Sequence, residues 1–151
     1  MRALGLLALA ACGGTADSTI DVTHDPCAPL ALVSADVTPS ETAGMQGAQK
    51  LWREHGAPAL GLRAGATLEV RFDDASPAFH GLYDDEAGVI YINRSIQDET
   101  TLSIVIAHEL GHAFGLEHVA GRTSVMNAGN LKVEPNDEDR SALGNLWGSC
   151  N

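Results

Sequence analysis

The segment His108-Glu109-Leu110-Gly111-His112, followed at fixed spacing by Gly115 and His118, constrains this chain more than any other feature of its 151 residues. Leu102, Val105, Ile106, Leu110 and Phe114 recur at spacings of three and four, so the segment lies on a helix that begins near Thr100. Residues four apart stand one turn above each other, and the imidazoles of His108 and His112 can address one ion from one face. Neutral imidazole nitrogen is a good zinc ligand. Glu109 stands beside the metal without being needed as a ligand, where it can take a proton from a water on the zinc. A third ligand on the next helical turn would point away. Gly115 can take positive φ, so the chain turns sharply there and brings His118 back to the site. Three histidines leave a fourth position open, as a catalytic zinc requires and a closed structural zinc does not. The alternative is three histidines satisfied by hydrogen bonds without a metal.

The remaining composition narrows the class. Acidic residues outnumber basic ones 20 to 9, giving a net charge of −11. Such a chain lacks the electrostatic footprint of a nucleic-acid binder and is repelled by anionic lipid. No stretch reaches the roughly 18 apolar residues of a membrane span. The length suits one domain.

The chain opens with Met1-Arg2 and an unbroken Ala, Leu and Gly run that ends in Leu9-Ala10-Ala11-Cys12. A short apolar segment before small residues reads as a secretory signal, expected over residues 1–11. Leu-Ala-Ala-Cys also resembles the bacterial lipobox, which makes Cys12 the expected lipidation site and the only expected contact with a membrane. An apolar N-terminal helix with an incidental cysteine is the other reading. Residues 12–26, rich in Gly, Thr, Ser and Asp, are expected to be a flexible tether, and residues 27–151 the domain. With Cys12 lipidated, Cys27 and Cys150 remain as an even pair in an oxidising compartment. They are either bridged or two free thiols, since sequence does not give their separation.

Beyond the tether, strands and helices alternate. Leu30 to Val33 is an apolar run fit for a buried strand. Thr38-Pro39-Ser40-Glu41 combines an N-cap, a proline at the first helical position and a capping box. Gly44, Ala48, Leu51, Trp52 and His55 share one side of the helix that follows, and Gly56 stops it. Leu68, Val70 and Phe72 alternate with Glu69 and Arg71 as a half-buried strand. Phe79 to Tyr83 and Val89 to Ile92 are two further strand segments. Asn136 can cap a final helix, with Asp139 three residues on.

His108 to His118 resembles the zinc helix and loop of the metzincin clan, and its matrixin-like branch in particular. Ser124-Val125-Met126-Asn127 is similar to the methionine turn of that clan, and seven residues separate His118 from Met126, the matrixin-like spacing. Trp52 resembles the tryptophan of the family's first helix, and Glu138-Asp139 through Leu143, Leu146, Trp147 and Gly148 resembles its final helix. The resemblance covers residues 30–148. It implies an α+β zincin fold: a small twisted sheet, mostly parallel with an antiparallel edge strand, two long helices and a C-terminal helix. In such a fold the N-terminal segment runs back along the final helix, which places Cys27 near Cys150 and makes a bridge between them the expectation.

The implied activity is a zinc endopeptidase, with His108, His112 and His118 as ligands, Glu109 as general base and Met126 beneath the metal. His80, Gly81 and Leu82 of the edge strand, and Asn127 in the loop after the methionine turn, are expected to face an extended peptide substrate. A monomer is expected. The rival is a zinc-bearing peptide-binding lipoprotein without turnover. Asp73, Asp74, Asp84 and Asp85 could hold calcium, though solvated loop acids are the simpler reading. His80, Asp84 and Asp85 do not reproduce the structural zinc pattern of vertebrate matrixins. No tyrosine after the methionine turn matches the ligand switch of astacin-like enzymes. A cysteine-switch latency is not expected, because only the tether lies between Cys12 and Cys27.

Overall fold

A computed structural model of the protein describes residues 19–151, so the expected leader over 1–11 and Cys12 lie outside the described residues. The elements run β1 (Leu30–Val33), α1 (Pro39–Glu54), β2 (Ala66–Asp73), β3 (Gly81–Asp84), β4 (Val89–Asn93), α2 (Glu99–Ala113) and α3 (Asp137–Trp147). The four strands form one sheet in the order β1-β2-β4-β3. β1 pairs parallel with β2 and β2 with β4, while β3 pairs antiparallel with β4 and forms one edge. This is the expected α+β sheet, mostly parallel with an antiparallel edge strand. None of the described helices is long and apolar enough to cross a membrane.

Local chemistry starts α1 and α3 where the sequence signals it, while α2 starts at Glu99 on an Asp98 cap not expected from the sequence. Thr38 Oγ1 accepts from the Glu41 backbone N–H, and the Glu41 carboxylate accepts from the Thr38 N–H, so two orphan donors are satisfied reciprocally. The other Glu41 oxygen takes an Arg94 N–H at 2.9 Å, which ties the start of α1 to the end of β4 and pairs a buried carboxylate. Asn136 closes a second capping box with Asp139 at the start of α3.

α1 and α2 pack together behind the sheet. Glycines at Gly44 and Gly47 let the two backbones approach, since a Cβ at Gly44 would press against Leu102 and one at Gly47 against Ser103. Trp52 is fully buried, donates its indole N–H to the Ala107 carbonyl at 2.7 Å, and meets Phe114 edge-on with ring centroids 5.7 Å apart. The strand faces alternate as the sequence indicates, with Leu68, Val70 and Phe72 buried.

The edge strand differs in its bounds from the expected Phe79–Tyr83. Buried Asn93 donates its side-chain amide to the carbonyls of Ser76 and Phe79, and the Phe79 N–H closes a turn on Ser76. This clamp holds the chain in a turn through Phe79, so pairing with β4 begins at Gly81.

Cys27 and Cys150 are joined in a disulfide with their Cα atoms 5.1 Å apart. The stretch before Cys27, within the expected tether, lies against the domain from Thr19 onward. Val22 N–H donates to Asp85 O, Tyr83 Oη to Val22 O, and His24 N–H to Ala113 O.

Candidate metal centre and substrate cleft

α2 presents His108 and His112 on one face, and the chain beyond it supplies His118. The helix stops where the Gly115 N–H turns onto His112 O and the Leu116 N–H onto Gly111 O, with Gly115 at φ +93°. That left-handed glycine is the sharp turn expected from the spacing. The Nε2 atom of His118 then lies 3.1 Å from that of His108 and 3.2 Å from that of His112. Ligands of a tetrahedral zinc at 2.0–2.1 Å stand about 3.3–3.4 Å from one another, so the three nitrogens converge at a zinc-like spacing.

The outer nitrogens settle the tautomers. His108 Nδ1 lies 2.6 Å from Val125 O, and His112 Nδ1 2.7 Å from Leu116 O. A carbonyl only accepts, so each Nδ1 carries the hydrogen and each Nε2 keeps its lone pair for the shared point. Burial lowers the pKa of both rings, that of His112 to about 4, so both are neutral as ligation requires. The residues therefore fit a zinc ion with three nitrogen ligands. Among the described residues no other group of histidines, cysteines and acids converges in this way. Asp84 instead accepts from the Glu86 and Ala87 N–H groups, and Asp85 from the Asp21 N–H.

Glu109 faces the opposite wall. It is buried, and burial raises its carboxyl pKa to about 8 against the opposing pull of a Tyr83 backbone hydrogen bond. A dication beside it would favour the carboxylate. Gly81 stands so close that a Cβ there would lie 2.9 Å from Glu109 Oε1.

Met126 lies beneath α2, buried, at a point where Gly111 leaves room for its sulfur. Its turn hangs on Asp139. That fully buried carboxylate accepts from Ser124 Oγ, from Val125 N at 3.1 Å and from Arg122 Nη1 at 3.0 Å. Ser124 Oγ in turn accepts the Met126 N–H at 2.9 Å. Asp139 thus joins α3 to the Val125 carbonyl that orients His108. The sequence marked Asp139 as a capping residue and as one of the acids that resemble the start of the family's final helix; neither gave a sign of this second task.

A cleft of about 380 Å³ runs over the three histidines and Glu109. His80, Gly81 and Leu82 line it. Asn127 does not. Its amide donates to Val119 O and Arg122 O, and its oxygen accepts the Ser124 N–H, so it holds the methionine turn from within. Asn130 lines the cleft from the same loop, and it shares the Val125 carbonyl with His108. Ile20, from the segment before the domain, is a further wall residue that no sequence pattern indicated.

A family model described as Matrixin, a peptidase family, matches residues 44–148. No curated protein matches the chain.

Proposed function

The chain belongs to the matrixin family of zinc metalloendopeptidases, and we propose from that premise that His108, His112 and His118 hold its zinc and that Glu109 is its general base. The observation that carries this reading is the convergence of three Nε2 lone pairs beside a buried, non-ligating carboxylate. When bound, zinc acidifies water and polarises a substrate carbonyl. Val125 O and Leu116 O keep the two helix-borne rings in the tautomer and orientation that ligation needs. Glu109 takes the proton of the attacking water and hands it to the departing amine, so one carboxyl serves as base and then as acid. The edge of β3, from Gly81 to Asp84, offers backbone groups to which an extended peptide can add as a further strand. Asn130 and the loop after Met126 would bound the pocket for the side chain following the cleaved bond.

The Cys27–Cys150 bridge suits an oxidising, extracytoplasmic compartment. The Leu-Ala-Ala-Cys segment supports a lipid anchor at Cys12 in that compartment.

Metal analysis and a random peptide library test the reading together. The purified protein is expected to carry one zinc and to cleave peptides, with cleavage lost to a chelator and regained with zinc. Glu109→Ala is expected to keep the zinc and lose about 10²–10⁴-fold in rate. A zinc-loaded wild-type protein that binds peptides without cleaving them would reduce it to a binding module, and Glu109→Ala at full rate would remove Glu109 as the base.

A further inference from the structure

We propose that Ile20, carried on the segment that precedes the domain, is a specificity-determining residue of the cleft; this rests on the peptidase reading above. The segment crosses one end of the site and is fastened on both sides. On one side Thr19 donates its backbone N–H and its hydroxyl to Glu117 Oε1, at 3.1 and 2.7 Å, one residue before His118. On the other, Asp21 N–H donates to Asp85 Oδ2 and Val22 N–H to Asp85 O, both at 3.0 Å, at the turn that follows β3. Tyr83 Oη adds a bond to Val22 O at 2.7 Å. Ile20 sits between the two fastenings. It is half-buried, packs on the core, and shares the cleft wall with Tyr83, Asp85, His112 and His118.

The position has a directional consequence. Gly81, at the start of β3, faces Glu109, and Asp85 follows the end of that strand. A peptide pairing with the β3 edge in the antiparallel sense, the more stable of the two, runs from the Asp85 end towards Gly81. At about 3.3 Å per residue, the span from Gly81 to Asp85 accommodates about four peptide residues. Ile20 therefore meets a side chain on the N-terminal side of the scissile bond, within about four residues of it. Its sec-butyl group favours an apolar partner there.

Cleavage profiling of the full chain with a peptide library decides this. Wild type is expected to prefer an apolar residue at one position N-terminal to the bond. Ile20→Ala should lower kcat/KM for the preferred peptides by about tenfold, the scale of a lost apolar contact. Ile20→Lys should move the preference at that position towards Asp and Glu. Preferences on the C-terminal side, and zinc content, should not move. On a Glu109→Ala background the same substitutions should weaken binding of the uncleaved peptides in the same order, measured by fluorescence anisotropy. A merely structural Ile20 would change stability and total rate while leaving the profile as it was, and that result overturns the inference. A wild-type protein that binds zinc but cleaves nothing defeats the peptidase reading first, and the inference with it.

Discussion

Gly81 and Glu109 face each other across the cleft with no room for a side chain between them. A Cβ at Gly81 would lie 2.9 Å from Glu109 Oε1, 3.1 Å from Glu109 Cγ and 3.1 Å from Val105 Cγ1. Gly81 is not among the glycines with positive φ, so alanine fits the backbone and the conflict is one of space alone. The edge strand thus fixes the position of the carboxylate.

Gly81→Ala is therefore expected to shift the Glu109 carboxylate and to lower kcat by about 10–100-fold, since small misplacements of a reacting group are that costly. KM and zinc content should change little. Steady-state kinetics with metal analysis checks this. An unchanged kcat would mean that Glu109 has another place to go without loss.

Asp139→Ala is expected to act on both fold and metal. It leaves Arg122, Ser124 and the Val125 N–H without their buried acceptor, and breaking such a network costs about 3–5 kcal/mol. Because Val125 O orients His108, zinc affinity should also fall, by about 10–100-fold. Urea unfolding and competition with a chromogenic chelator measure the two effects. Loss of stability at undiminished zinc affinity would separate Asp139 from the metal site.

The zinc site and the starts of α1 and α3 were legible because each rests on short-range spacing. The helical period puts His108 above His112, Gly115 supplies one turn, and Thr38 with Glu41, like Asn136 with Asp139, closes a local box. The mostly parallel sheet with its antiparallel edge strand followed from resemblance, not from such local rules, and the strand order β1-β2-β4-β3 was not legible at all. What the sequence did not disclose depends on contacts far apart in the chain. The Asn93 clamp that delays β3 spans 14 residues to Phe79. The Thr19–Glu117 contact spans 98. Asn127 looked like a substrate contact from its place after Met126, yet its amide finds three backbone partners closer to hand. An Asn in a tight turn commonly serves its own backbone in this way.

His24 carries a pH dependence. Its Nε2 is buried without a hydrogen-bond partner among the described residues, and burial lowers its pKa below the ordinary 6.5. The unfolded chain then binds the proton more readily than the folded one, so stability falls as pH drops through 6.5 towards the folded-state value. His24→Leu should lose less stability than wild type between about pH 7.5 and pH 5. The zinc histidines are common to both proteins and cancel in the difference. Urea midpoints at the two pH values decide it, and parallel losses would show that His24 does not titrate in this range.

The Cys27–Cys150 bridge links residues 123 apart in sequence and lies just past the end of α1, with Cys150 Sγ 3.4 Å from Gly56 O. Before Cys27, the His24 N–H reaches Ala113 O; before Cys150, the Trp147 indole N–H reaches Phe114 O at 2.7 Å. The bridge therefore ties together the incoming segment and the chain after α3, which these two hydrogen bonds separately fasten to the helix end that turns towards His118. Its main effect is on the unfolded chain, which it denies much of its freedom, and removing such a link from a secreted domain costs about 2–5 kcal/mol. Replacing both cysteines by serine should lower the urea midpoint accordingly while leaving the zinc bound and kcat within about threefold, since neither sulfur reaches the cleft and the cost falls on global unfolding. Mass mapping of unreduced peptides from exported protein should recover Cys27 and Cys150 in one linked fragment. Free alkylation of both thiols in native protein would show the bridge unformed, and the shared attachment of the two chain ends would then rest on hydrogen bonds alone.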